Sequence, residues 1–406
     1  MMSVRWFVPL LVISTLLVPP GTAADDVIPA DKAQRKKDAL AVMADLERLY
    51  VFFDVKGIRK DWEGRKKGWT KQAASLGSDE ELVALIQDMI DSLRDGHMGF
   101  RELNIKAPPR DERYFSGIYF GETQDGRVCV VNDASGFYPG AKPGTEVVKV
   151  DGKSARKWLD ERARELWECG GAFSSPQRAE MLVWRWGLRG AQNESHDVVL
   201  KDGRSQREFT ARNSYRCSMI PETLPKVPDL VESPKSRDVR YRELEPGIGY
   251  IYVRGVSPET DAAVAEAAAT MKKVKGLVID ISDNGGGGGY SVQGLAPFKG
   301  KIAVLVSPRC FSAGETYARD LVNGCGARLF GTQTAGSSSA KDDYKLPRNL
   351  GTITYSTRSR NGVKGPIEFH GIEPHENVLY DPKDLAAGES TLVKAAVAWL
   401  KAKALK

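Results

Sequence analysis

Apolar residues recur at helical spacing through the first part of the chain. Leu40, Val42, Met43, Leu46, Leu49 and Tyr50 follow Asp31, an acidic residue of the kind that accepts from the free N–H groups at a helix start. Ser78-Asp79-Glu80-Glu81 has capping-box spacing and opens a helix with Leu82, Leu85, Ile86, Met89, Ile90 and Leu93 on one face. That helix is predicted to stop at Asp95-Gly96, with His97 directly beyond it. From about residue 110 to 213 the pattern changes to short β-type runs, at 117–121, 128–132, 146–150, 198–201 and 208–211. Asp125-Gly126, Pro143-Gly144, Asp151-Gly152 and Asp202-Gly203 punctuate them as turns. A helical insert over 155–188 carries several tryptophans, and 214–242, rich in proline and charge, reads as a linker.

Beyond residue 247 strands and helices alternate. Strands are predicted at 249–253, 276–281, 302–306 and 328–331, with helices over 259–273, after Ser312, and over about 389–401. A hairpin-like segment falls at 351–357. Near-continuous apolar strands separated by helices imply a mainly parallel sheet buried on both faces. The fold class is therefore α/β, with a helical N-terminal part and a β-rich middle part.

Two strand ends in this last part carry chemistry. The run from Lys301 ends in Ser307-Pro308-Arg309-Cys310-Phe311, and Ser312 then opens a helix-favouring segment. Backbone N–H groups at a helix start are unpaired and the helix dipole there is positive, which suits anion stabilisation. Upstream, the strand entering Asp280 runs through Asn284 into five glycines, Gly285 to Gly289, which leave backbone N–H groups clear of side chains. A hydroxyl beside bare N–H groups has the parts of a nucleophile with an oxyanion hole. Ser312-Ala313-Gly314-Glu315 is also a capping box, and on pattern alone cap and nucleophile are equally good readings. Cys310 falls at the end of a β-type run and reads as a small buried residue. The glycines are not followed by Lys-Ser/Thr, and no Gly-x-Gly-x-x-Gly lies over them, so they do not make a nucleotide site. A nucleophile needs a base, and the chain has four histidines: His97, His196, His370 and His375. From its own segment His97 reads as a surface loop residue or as a group aimed into a cleft. Gly371 and Pro374 break any helix that would align His370 and His375 on a metal.

Read in order, these motifs resemble the tricorn-core and C-terminal-processing (tail-specific) serine peptidases. The resemblance is carried by Leu93-Arg-Asp-Gly-His97, Asp280-x-x-x-Asn-Gly-Gly-Gly, Phe311-Ser-Ala-Gly-Glu315, Gly331-x-x-Thr-Ala-Gly336 and Glu368-x-x-Gly-Ile-x-Pro374. In the β-rich part, Pro139-Gly-Ala-Lys-Pro-Gly144 leading into Glu146-Val-Val-Lys-Val-Asp-Gly152 is similar to their PDZ-like domain. The resemblance implies a helical N-terminal domain (25–107), a PDZ-like domain with a helical insert (108–215) and a crotonase-like spiral α/β core (216–406). It implies Ser312 as nucleophile, His97 as general base and Glu368 as the carboxylate that organises the histidine. The N–H groups of Ala313, Gly286 and Gly287 would form the oxyanion hole. The substrate would be unstructured polypeptide, entered from or near its C-terminus, with no cofactor and no metal. Three departures stand out. Ser337 occupies the place of the lysine on which one branch depends, which favours the histidine branch. Asp280-Ile-Ser282 lacks the arginine of the frequent Asp-x-Arg, and Gly96 replaces a serine that links histidine to glutamate in some members.

Composition changes this picture little. Of 406 residues, 41% are hydrophobic and 28% charged, a globular balance that excludes wholesale disorder. Arg5, an apolar stretch over 6–18 and small residues up to Ala24 read as a secretory signal (1–24), implying a periplasmic or extracellular protein. No later stretch is long enough to span a bilayer. The net charge of +6 is modest, and Arg35-Lys36-Lys37 and Arg65-Lys66-Lys67 read as solvated helix faces rather than a nucleic-acid surface. Five cysteines would allow one or two disulfides with at least one thiol left over. The oligomeric state is left open. Two other readings are a binding protein for apolar ligands or peptides, as in the similar repeats of interphotoreceptor retinoid-binding protein, and an α/β-hydrolase using His370 with Asp342 or Asp343.

Overall fold

Both faces of the central sheet are covered, which explains the unbroken apolar strands of the sequence. In strand Gly276–Asp280, Leu277 and Ile279 face one cluster and Val278 the other. Strand Lys301–Val306 likewise turns Ile302, Val304 and Val306 one way and Ala303 and Leu305 the other. Helices Thr260–Thr270 and Ala313–Cys325 pack on the first face, and helix Thr391–Lys401 on the second. These observations come from a computed structural model, which describes residues 27–106, 114–138, 140–186, 188–216 and 227–402. The leader expected at 1–24, Pro139 and Cys217 lie outside the described residues.

The sheet has seven strands in the order Val231–Ser233, Ser236–Glu245, Ile248–Val253, Gly276–Asp280, Lys301–Val306, Arg328–Gly331 and Glu376–Asn377. The first three pair antiparallel and the last five, from Ile248, run parallel. Its first two strands lie in or across the segment read as a linker. Ser236–Glu245 buries only Val239 deeply, so its polar exposed faces hide the strand from an apolar pattern.

Helices Lys32–Leu49, Arg59–Ala73 and Asp79–Ser92 pack around Trp62, Leu82, Ile86 and Met89. Asp31 caps the first, accepting from Gln34 N at 2.8 Å. Ser78 caps the third, but Glu81 reaches back to Gly77 N at 2.6 Å rather than to the cap residue itself. The middle part is an antiparallel sheet of Ile118–Glu122, Val128–Asp133, Glu146–Val150, Ser195–Asp202 and Ser205–Arg212, with Lys153–Ser154 pairing on Glu146–Val150. The helical insert is two helices, Ala155–Cys169 and Pro176–Trp186, not one. Gly170-Gly171 end the first, and Pro176, which lacks an N–H, starts the second.

A second, smaller sheet was not anticipated in full. Gly99–Leu103 and Ser339–Lys345 both pair antiparallel with Gly351–Ser359, with Gly99 opposite Thr354. Leu346, Leu350 and Ile353 thereby join the core of the N-terminal helices, and Arg348 bridges to Asp38 and Asp79, at 2.6 Å each. Cys129, Cys169, Cys310 and Cys325 are all free thiols. Among the described residues no helix is long and apolar enough to cross a membrane.

Candidate active site

Ser312 is held by backbone contacts to two other loops. After strand Lys301–Val306, Phe311 N donates to Asn284 O and Ser312 N to Ser337 O, both at 2.9 Å. Ser312 itself sits at φ 56°, ψ −124°, a conformation side chains rarely adopt and one the surrounding bonds must impose. Its hydroxyl makes no cap bond to the helix that follows. Instead, Ser312 Oγ lies 2.8 Å from His97 Nε2. Glu315, the other half of the apparent capping box, points elsewhere. It is fully buried and accepts from Thr334 Oγ1 at 2.6 Å, Gly336 N at 2.8 Å and Ser337 N at 2.9 Å. The cap reading of Ser312 is thus excluded by where both side chains go.

His97 is brought to Ser312 by the smaller sheet, since strand Gly99–Leu103 begins two residues on. Asp95 Oδ1 accepts from His97 N at 2.9 Å, and the imidazole stacks on the Phe311 ring, 4.8 Å between centroids. Burial pushes the imidazole down to about 4; Asp95 resists this shift, while Lys341 and Lys56 add to it. The ring is therefore neutral at neutral pH, the state that can take a proton from a hydroxyl. Its Nδ1 is buried and has no hydrogen-bond partner among the described residues.

Glu368 is buried behind this pair, its N–H bonded to Ser359 Oγ at 2.9 Å at the end of strand Gly351–Ser359. Its carboxylate pairs with Lys56 Nζ at 2.9 Å rather than with His97. Burial and the neighbouring Asp95 carboxylate push Glu368 up to about 7, against Lys56 and the Ser174 hydroxyl, which pull it down.

The glycine loop approaches from the other side. Buried Asn284 donates to Val253 O at 2.9 Å and accepts from Gly286 N at 2.9 Å, so the Gly286 N–H is already committed. At φ +99°, Gly286 packs so closely that a Cβ would stand 2.8 Å from Ser312 Cβ and 3.2 Å from Ala313 N. The N–H groups of Gly287 and Ala313 donate to no group among the described residues. A hydroxyl against a neutral imidazole, with free N–H groups at a helix start beside it, is equipped for nucleophilic acyl transfer.

Comparison with known proteins agrees with this chemistry. The family model for peptidase family S41 matches residues 289–378, a span that contains both Ser312 and Glu368. The chain has the fold of mature CPAF, with a TM-score of 0.62 at 14% identity over 91% of this chain and 97% of that one. CPAF complexed with lactacystin aligns with a TM-score of 0.60, also at 14% identity, over 91% and 98% of the two chains. The photosystem II D1 C-terminal processing protease aligns over 93% of this chain and 99% of that one, at 18% identity and a TM-score of 0.42. No curated protein matches the chain. Over residues 289–378 the chain is similar to peptidase family S41, and its fold is that of a solved protease structure, which supports a serine peptidase.

Around this site the sequence departures have local explanations. A Cβ on Gly96 would lie 2.9 Å from Phe311 Cε2 and 3.2 Å from Ser337 Oγ, so the ring stacked on His97 occupies the space a serine would need. A different hydroxyl comes close: Ser174, fully buried between the two insert helices, accepts from Gly96 N at 3.1 Å and neighbours Glu368. At Ser282, the hydroxyl and N–H both donate to Asp280 Oδ1, at 2.6 and 2.9 Å, while Tyr250 OH donates to Oδ2 at 2.6 Å. Hydrogen bonds thus replace an ion pair there. His370 is exposed and touches Phe369, not Ser312, and Asp342 and Asp343 lie exposed on strand Ser339–Lys345. Lys56 and Ser174 carry no signal in the sequence, because only burial distinguishes them from solvated residues of the same type, and Glu315 stood out there only as a capping partner and motif residue.

Two outcomes test this geometry. Gly96→Ser is expected to lower activity by roughly tenfold or more through displacement of the His97–Phe311 stack, and trimming the ring with Phe311→Leu should recover part of the loss. Glu315→Gln replaces one acceptor oxygen by an amide that faces N–H donors, so denaturant unfolding above about pH 8, where burial no longer keeps Glu315 protonated, should show a loss of about 2 kcal/mol.

Proposed function

We propose that the chain is an exported endopeptidase of unstructured polypeptides, with Ser312 as nucleophile, His97 as general base and Glu368 as the carboxylate behind the histidine. One observation carries the reading: the 2.8 Å contact between His97 Nε2 and Ser312 Oγ, across 215 residues of sequence. His97 takes the Ser312 proton as Oγ attacks the substrate carbonyl, then returns it to the leaving amine. The Gly287 and Ala313 N–H groups are the donors proposed for the oxyanion, with Gly286 giving the close approach rather than a bond. An imidazolium formed in so buried a place needs a counter-charge, and Glu368 and Asp95 supply it. Water then resolves the acyl-enzyme by the same steps.

The leader-like N-terminus supports export to the periplasm or beyond. The antiparallel sheet of the middle part, whose outer strand Ser205–Arg212 is exposed along most of its length, is the proposed PDZ-like reader of a substrate tail.

Digestion of casein or a tagged unfolded protein, mapped by mass spectrometry, tests the assignment. Ser312→Ala and His97→Ala are each expected to lose activity by about 1000-fold or more, with His370→Ala close to wild type. Undiminished cleavage by Ser312→Ala would sink the proposal. The pH profile adds a second check. His97 is neutral above about 4, so it does not set the acid limb. Glu368, raised to about 7, must lose its proton to serve as counter-charge, so kcat/KM should rise as pH passes upward through about 7.

A further inference from the structure

Behind the reacting pair lies a charged group that the mechanism above does not use. Lys56 follows the first helix and precedes Arg59–Ala73, and its side chain is wholly excluded from solvent. Its ammonium donates to Arg94 O at 2.7 Å and Asp95 Oδ2 at 3.5 Å, and it forms an ion pair with Glu368 Oε1 at 2.9 Å. The rings of Tyr50 and Phe52 flank it, each centroid 5.6 Å away. A buried ammonium is costly unless it is paired, and here a carbonyl and two carboxylates surround it.

We propose that Lys56 is a positioning residue for catalysis, holding Glu368 and Asp95 in place as the counter-charge behind His97. The inference rests on Ser312 and His97 being the reacting pair. Its physical basis is the arrangement of charge. Two buried carboxylates share one cation, and with the cation gone they stand close together in a medium that penalises both. One of them must then take a proton. Asp95 is held low by Lys56 together with the His97 N–H bond, whereas Glu368 already stands at about 7. Glu368 is therefore the one to neutralise, and a neutral Glu368 offers nothing to an imidazolium. The groups facing it are Lys56, Asp95, Tyr50, the Ser174 hydroxyl and, from helix Ala313–Cys325, Glu315. Lys56 is the only cation among them, so no other side chain there can replace its charge.

The test uses the full chain as wild type, Lys56→Met, Lys56→Arg, Glu368→Gln and the double variant Lys56→Met/Glu368→Gln. Three quantities are followed against pH: peptide kcat and KM, the rate of Ser312 labelling by a fluorophosphonate, and the infrared carboxylic-acid band assigned by its loss in Glu368→Gln. Lys56→Met should move the acid limb of kcat and of labelling upward by about one pH unit or more. At pH 7 it should lower kcat by about fivefold or more, with KM changed less than about twofold. The Glu368 acid band should persist to correspondingly higher pH. Lys56→Arg should bring the limb back toward wild type, and the double variant should be no slower than Glu368→Gln alone. If Lys56→Met does not fold, Lys56→Gln, which keeps donors without charge, gives the same comparison. An unmoved limb and acid band with only a lowered melting temperature would overturn the proposal, as would a double variant whose losses multiply. The infrared and labelling arms need no peptide cleavage. A shifted band in a protein that cuts no polypeptide would leave Lys56 its role and remove the peptidase reading. Cleavage with an unshifted limb would do the reverse.

Discussion

The pairing of Gly99–Leu103 with Gly351–Ser359 is the constraint on which the site depends. His97 lies just before the first of these strands, and Glu368 follows the second by nine residues. Ladder hydrogen bonds between the two therefore bring the segments that carry His97 and Glu368 together. The third strand, Ser339–Lys345, descends from the Thr334–Ser337 loop that holds the Ser312 N–H and the Glu315 carboxylate. One three-stranded sheet thus ties together the loops that bring His97, Glu368 and the Ser337 carbonyl to the hydroxyl, while Ser312 and the glycine loop come from the seven-stranded sheet.

The middle part adds a second tie. The segment that joins its two helices and the first turn of the second reach each of those loops: Ser174 at Gly96 N, Ser175 at Ala335 O, and Gln177 at the carbonyls of Phe369 and His370. Arg178 completes the set at Pro308 O, 2.6 Å away, and lies over the Phe311 ring. Movement of this helical pair would be felt at His97, Ser312 and Glu368 together, because their supports share it.

Burial governs the electrostatics of the site. Removing His97 from water keeps it neutral and ready to accept a proton, but it also makes the imidazolium expensive to form. In the proposed mechanism the carboxylates offset that cost only while ionised, and their own burial opposes ionisation. Lys56 stands where this conflict is sharpest. Glu315 meets the same problem differently, with a hydroxyl and two backbone N–H donors in place of a cation, and burial still pushes it up to about 8. A site with this many buried titratable groups keeps its geometry because the surrounding loops are cross-bonded.

Much of this was legible in the linear pattern. Strands 146–150 and 328–331 fall where alternation and apolar runs place them, and the parallel core follows from strands that are apolar on both sides. Motif order brought His97, Ser312 and Glu368 forward as a set. Strand Ser236–Glu245 was hidden by its exposed charges, and the break at 170–175 by the strong helical pattern on either side of it. Whether Ser312 caps a helix or meets an imidazole was undecidable from Ser-Ala-Gly-Glu, since both uses ask for the same residues. The same holds for Gly286, whose N–H turned out to be spoken for by Asn284. Sequence alone determines which segments can be strands and helices, because side-chain periodicity and backbone preference act over a few residues. Which lysine, which serine and which carboxylate are stripped of water and set against one another was decided only by tertiary structure, because burial and charge pairing are properties of groups brought together from distant parts of the chain.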